Sequence, residues 1–115
     1  MAIAVIDGKI SRQELTDIAK QQFGNFVKAV VDIERGIMAI GGELHADEEA
    51  LLIERGSEQE DLWGINLYPE KGGEDFIEFD SMVNLRPSQG NTSRGVEDPK
   101  TRESIREVVT ERVPQ

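Results

Sequence analysis

Glu43, His45 and Asp47 alternate in the stretch GGELHAD, and His45 is the only histidine of the chain. If the stretch is extended, a spacing of two puts all three side chains on one side, where an imidazole can act as general base beside an orienting carboxylate. The same three could hold a divalent ion, but ligands this close in sequence seldom complete a metal site. The expectation is therefore His45 with Glu43 as the catalytic pair and no resident metal. A histidine satisfied in the core and an Asp47 used as a helix cap account for the same residues without chemistry.

Asn84, Arg86, Gln89, Asn91 and Arg94 form a second set, with Ser93, Gly90 and Gly95 among them. Arginine, amides and glycine-exposed backbone N–H groups are the parts of a cradle for a small anionic ligand, and Arg86 could grip a carboxylate or phosphate bidentately. A long loop uses the same residue types to satisfy its own backbone, and Arg86 could pair with Glu78 or Asp80. Those two carboxylates share one face of a strand. They would suit acid and base roles only if one were desolvated. No GxGxxG or Walker A pattern is present, so the motifs name no nucleotide and no cofactor.

The elements that must position these residues can be read from periodicity. Residues 1–10 form a short strand, Ile3 to Ile6, or an arm. Ser11 and Glu14 fit a capping box, and Leu15, Ile18, Ala19 and Phe23 follow as one helical stripe. Val27, Ala29, Val31 and Ile33 alternate with polar residues, so they predict a half-buried strand. A turn at Arg35 and Gly36 leads to Ile37–Ile40, apolar on both faces and so inside the sheet. Asp47 then caps a short helix that Gly56 stops.

Trp63, Ile65 and Leu67 alternate in the next strand, and DFIEFDSMVNLR resumes the alternation after a glycine-rich loop. With Leu67 opposite Ile77, antiparallel register sets Asn66 opposite Glu78, on an outer face shared with Tyr68, Asp80, Asn84 and Arg86. Residues 87–97 read as a loop. Asp98 and Pro99 open a last helix with the stripe Ile105, Val108, Val109 and Val113. The fold expected is α+β: one domain over residues 1–115, two hairpins in a mainly antiparallel sheet, and three helices in the order helix, hairpin, helix, hairpin, helix.

At 115 residues the chain can bury roughly two thirds of its unfolded surface without staples. Cysteine is absent, which removes thiolate chemistry and disulfides and fits a reducing compartment. With no leader-like start and no long apolar run, the expectation is a cytoplasmic protein without a membrane partner. The net charge is −10, with thirteen acids between Glu43 and Asp80 against Arg55 and Lys71 alone. Phosphate neutralisation needs Lys and Arg, so a nucleic-acid partner is not expected.

The phrases GGELHADEEALL, DLWGINLYPE and NLRPSQGN resemble a small uncharacterised prokaryotic family, a domain of unknown function, over almost everything after Ser11. That resemblance implies no activity, cofactor or catalytic residue. The sequence supports a domain that binds a small polar or anionic ligand between the GGELHAD turn and the RPSQGN loop, as an enzyme if His45 is catalytic. The alternative is a protein–protein interaction module or homodimer, paired through an edge strand or the outer sheet face, without catalysis.

Overall fold

The computed structural model describes residues 2–114. It is an α+β domain: strands β1 (Ala4–Ile6), β2 (Val27–Asp32), β3 (Ile37–Ile40), β4 (Leu62–Leu67) and β5 (Ile77–Glu78), with helices α1 (Arg12–Gln21), α2 (His45–Glu54) and α3 (Pro99–Arg112). The sheet order is β1-β3-β2-β4-β5, and every neighbouring pair is antiparallel. Both hairpins and the N-terminal strand form as the alternation predicts, with β3 inside the sheet.

Two faces of the sheet carry two cores. Val27, Ala29 and Val31 of β2, Met38 and Ile40 of β3, and Trp63, Ile65 and Leu67 of β4 pack with Leu15 and Ala19 of α1 and with Ile105, Val108, Val109 and Val113 of and just beyond α3. Each of these larger side chains contributes roughly 1.5–3 kcal/mol by leaving water. On the opposite face Val30, Ala39 and Leu62 meet Leu52 of α2. α1 starts with the expected capping box, Ser11 Oγ accepting from Glu14 N–H and Glu14 accepting from Ser11 N–H, and Asp98 caps α3. Ile10 N–H donates to the Arg112 carbonyl at 2.8 Å, tying the segment before α1 to the end of α3.

Three local expectations need correction. The first hairpin turn is longer than Arg35–Gly36, because buried Asp32 accepts from Glu34 N–H and Arg35 N–H, both at 2.9 Å, and from Ser57 Oγ at 2.6 Å. α2 starts at His45, with Leu44 in the cap position and Asp47 inside the first turn. His45 and Asp47 therefore diverge around a helix, so Glu43, His45 and Asp47 do not share one side. The early start is held from the helix's inner face, where Glu48 is fully buried and accepts from Gly42 N–H at 2.9 Å.

The third correction concerns β5, which ends at Glu78 instead of running on to Arg86. The register is the predicted one, Leu67 opposite Ile77 and Asn66 opposite Glu78. Beyond it, Gly64 leaves a notch in β4. A Cβ there would lie 2.5 Å from Ser81 Cβ and 2.9 Å from Val83 Cγ2, so the chain crosses over the sheet face at this point. Ser81 Oγ accepts from Val83 N–H and caps a 3-10 turn over Met82–Asn84. The face predicted to be outer is thus covered by α2 and this turn: Asn84 is fully buried and Arg86 is 9% exposed, while Leu85 between them is exposed.

Candidate functional site

Leaving β4 unpaired along Leu62–Gly64 on the side away from β2 creates a demand for donors and acceptors, and the loop residues meet it. Asn84 Oδ1 accepts from Gly64 N–H at 2.8 Å, and Asn84 Nδ2 donates to the Gly64 carbonyl at 2.9 Å and the Arg94 carbonyl at 3.0 Å. Its amide takes the place of a strand's peptide group. Arg86 stacks over Trp63, 4.2 Å from the ring centroid, and donates to the Leu62 carbonyl at 2.5 Å and to the Gln59 carbonyl. Gln89 donates to the Glu60 carbonyl. Asn91 Nδ2 serves the carbonyls of Asn84, Ser93 and Gly95, while its Oδ1 accepts from Glu97 N–H. Four of the five side chains assigned to a ligand are thus turned onto backbone.

Arg94 is the exception. Its guanidinium is exposed, paired with Asp80 at 2.7 Å, and lines a cleft of about 190 Å³ with Lys28, Leu44, His45, Ala46, Ser81, Met82 and Val83. The GGELHAD turn and the 81–94 segment therefore meet, through His45 and Arg94 and not through Arg86. A larger depression beside it, about 530 Å³, shares Lys28 and Leu44 and is lined further by Gln21, Gln22, Phe23 and Glu43. Glu43 is exposed. Its carbonyl, not its carboxylate, engages the site by accepting from Lys28 Nζ at 2.9 Å.

Lys28 begins a polar row that runs across three strands. Lys28 of β2 lies opposite Asn66 of β4, and Asn66 lies opposite Glu78 of β5, so a polar row crosses a sheet face that is otherwise apolar. Asn66 Nδ2 donates to Glu78 Oε1 at 2.8 Å, which also accepts from Tyr68 O–H at 3.1 Å. Above the row, α2 begins without a side-chain cap, in contrast to α1 and α3. His45 and Ala46, the first two residues of α2, line the cleft, so the positive end of the helix dipole lies at its wall.

His45 Nε2 lies 2.8 Å from the Ile65 carbonyl. A carbonyl only accepts, so Nε2 carries the hydrogen and the neutral ring keeps its lone pair on Nδ1. Burial lowers the His45 pKa, Lys28 lowers it further, and the Ile65 carbonyl, Asn66 and Asp80 oppose the shift. The ring is accordingly neutral at pH 7, as a proton acceptor must be. One turn on, burial pushes the Glu48 carboxyl up to about 9, against the Gly42 hydrogen bond and Lys28. That acid is protonated at neutral pH and sealed from the cleft. Among the described residues no group of three His, Cys, Asp or Glu could hold a metal ion.

Sequence reasoning missed Lys28, Asn66 and Ser81. The available signal was the predicted pairing of Asn66 with Glu78, which placed polar residues in the middle of strands where apolar ones would cost nothing. What the sequence did not reveal was that a helix N-terminus would cover that row.

Among the described residues, no helix is long and apolar enough to cross a membrane. No curated protein and no solved structure matches the chain. A family model described as "Protein of unknown function (DUF5674)" matches residues 4–112, so it takes in every strand and helix from β1 to α3, and the chain belongs to that family.

Proposed function

We propose that the domain binds a small anionic or polar ligand in the cleft at the start of α2, with His45 as its proton acceptor. The observation that carries this reading is the joint lining of one cleft by Lys28, His45, Ser81 and Arg94, drawn from β2, α2 and the segment after β5. Two cationic side chains, a hydroxyl and an uncapped helix start are complementary to an oxyanion, and the neutral imidazole adds a base within the same walls. Lys28 and Arg94 offset the −10 net charge locally. The cysteine-free composition supports a cytoplasmic setting.

A thermal-shift screen against phosphate, sulfate, small carboxylates, sugars and nucleotides tests the reading. A ligand at 100 times its dissociation constant adds about 2.7 kcal/mol, a rise in Tm on the order of 10 °C for a domain of this size. The rise is expected to vanish in His45→Ala and Arg94→Ala. Flat curves across the panel would favour the second reading, a protein interaction surface. Its support is the exposure of Leu44 and Met82, at 56% and 60%, on the rim of the cleft.

A further inference from the structure

Asn66 is only 7% exposed, yet its Oδ1 has no hydrogen-bond partner. Its orientation is not ambiguous. Glu78 Oε1 at 2.8 Å and the Asp80 carbonyl at 3.4 Å both only accept, so the Nδ2 side faces them and Oδ1 is the atom left for the His45 ring. The ring is therefore faced by two acceptors, the Ile65 carbonyl and Asn66 Oδ1. A neutral imidazole has one N–H and can satisfy one of them. An imidazolium has two and satisfies both.

We propose that the cleft takes up a compact oxyanion together with one proton, which His45 holds on Nδ1 against Asn66 Oδ1, making Asn66 the positioning residue of the site. The inference rests on the anion seat described above and specifies its ligand as one that binds with its charge partly cancelled by a proton. The proton comes from solvent or from the acid form of the ligand, and the only bond formed is Nδ1–H. Without a ligand, the groups around the ring hold it neutral: burial, the N-terminus of its own helix α2, and Lys28 from β2. Asp80, after β5, favours the charged ring, but its carboxylate is already shared with Arg94 from the loop. Glu48, the buried acid of α2, is protonated and contributes no charge. An oxyanion among Lys28, Arg94 and the helix start reverses this balance, because each group that opposed the proton now faces a negative charge.

Because His45 is the only histidine, its imidazole signals in an NMR titration report the proton directly. Sulfate is a suitable probe, since it does not titrate between pH 5 and 8. Saturating sulfate is expected to raise the His45 midpoint by a unit or more, and sulfate affinity should fall about tenfold per pH unit between the free and bound midpoints. Asn66→Leu should bind sulfate more weakly at pH 5.5 and lose the upward shift, and His45→Gln should bind it with no pH dependence. A midpoint that does not move while sulfate binds overturns the proton coupling and leaves the anion seat standing. No sulfate binding at any pH removes both.

Discussion

The loop after β5 and the cleft at the start of α2 draw on similar parts, amide and arginine side chains, and they use them oppositely. In the loop, the side chains of Asn84, Gln89 and Asn91 end on named backbone groups, and Arg86 lies flat on Trp63 with both terminal nitrogens on carbonyls. Around α2, hydrogen bonds of both kinds are left open: Asn66 Oδ1 is an acceptor buried without a partner, and the helix start has no side-chain cap for its N–H groups. The loop is a polar network close to completion, with Arg86 Nε its one buried side-chain atom left without a partner. The cleft is one that lacks a donor and an anion, and a buried polar group costs stability unless something completes it. Residue type does not separate a ligand cradle from a structural brace; what each polar side chain ends on does.

The largest effect expected is at Asn84. Asn84→Leu removes both hydrogen bonds to Gly64 and one to the Arg94 carbonyl, which keeps its bond from Ser81 N–H, so the N–H and the carbonyl of Gly64 are left unmet against a fully enclosed side chain. At about 1–3 kcal/mol for each stranded group, a loss of roughly 2 kcal/mol or more is expected in urea unfolding. A loss below about 1 kcal/mol would mean that the loop is a loosely held cradle after all, and the contrast between the two regions would collapse.

How much of this was legible in the sequence depends on whether the deciding contact was local. The capping box at Ser11 and Glu14, the stripe of α3 and the register of Leu67 with Ile77 follow from spacing, because period and pairing are properties of the strand or helix itself. The end of β5 at Glu78 was not legible. It depends on Ser81 filling the notch at Gly64, a fit between residues seventeen apart in number that no periodicity encodes. The start of α2 failed for a similar reason. Asp47 is the better cap by type, but burial of Glu48 beneath Gly42 fixes the cap three residues earlier, since a Cβ on Gly42 would lie 2.8 Å from Glu48 Cγ. His45 was singled out for being unusual, and its true neighbours, Lys28 and Asn66, came from strands whose polar face was expected to meet water.

Glu48 sharpens the comparison at intermediate cost. Its Oε2 accepts from Gly42 N–H, while Oε1 is buried without a partner. With the folded carboxyl raised to about 9, its contribution is fully present below about 4.5, the unfolded value, and is lost as pH rises through the folded one. Glu48→Gln keeps an acceptor for Gly42 and removes the ionisation. The variant should match the parent in urea unfolding near pH 4.5 and be the more stable by pH 8, with a stability-versus-pH slope flatter by about 1 kcal/mol per unit across the interval. Parallel slopes for the two proteins would place the ionised carboxylate in contact with water, and Glu48 would then belong to the cleft.

The smallest effect on stability should come from the residue the two regions share. Arg94 belongs to the loop by sequence and to the cleft by position, and its pair with Asp80 joins side chains that are 55% and 43% exposed. Such a pair is screened by solvent, so Arg94→Ala should cost less than about 1 kcal/mol. Binding separates the alternatives that stability cannot. If the cleft seats an oxyanion, Asp80→Asn leaves Arg94 without its competing carboxylate, and sulfate affinity measured by calorimetry should rise several-fold while Arg94→Ala lowers it. If Arg94 only ties the loop to β5, the two variants would leave any sulfate binding alike and unchanged. The sign of the Asp80→Asn effect therefore decides whether that ion pair is one more completed contact of the loop or a charge held in place for a ligand.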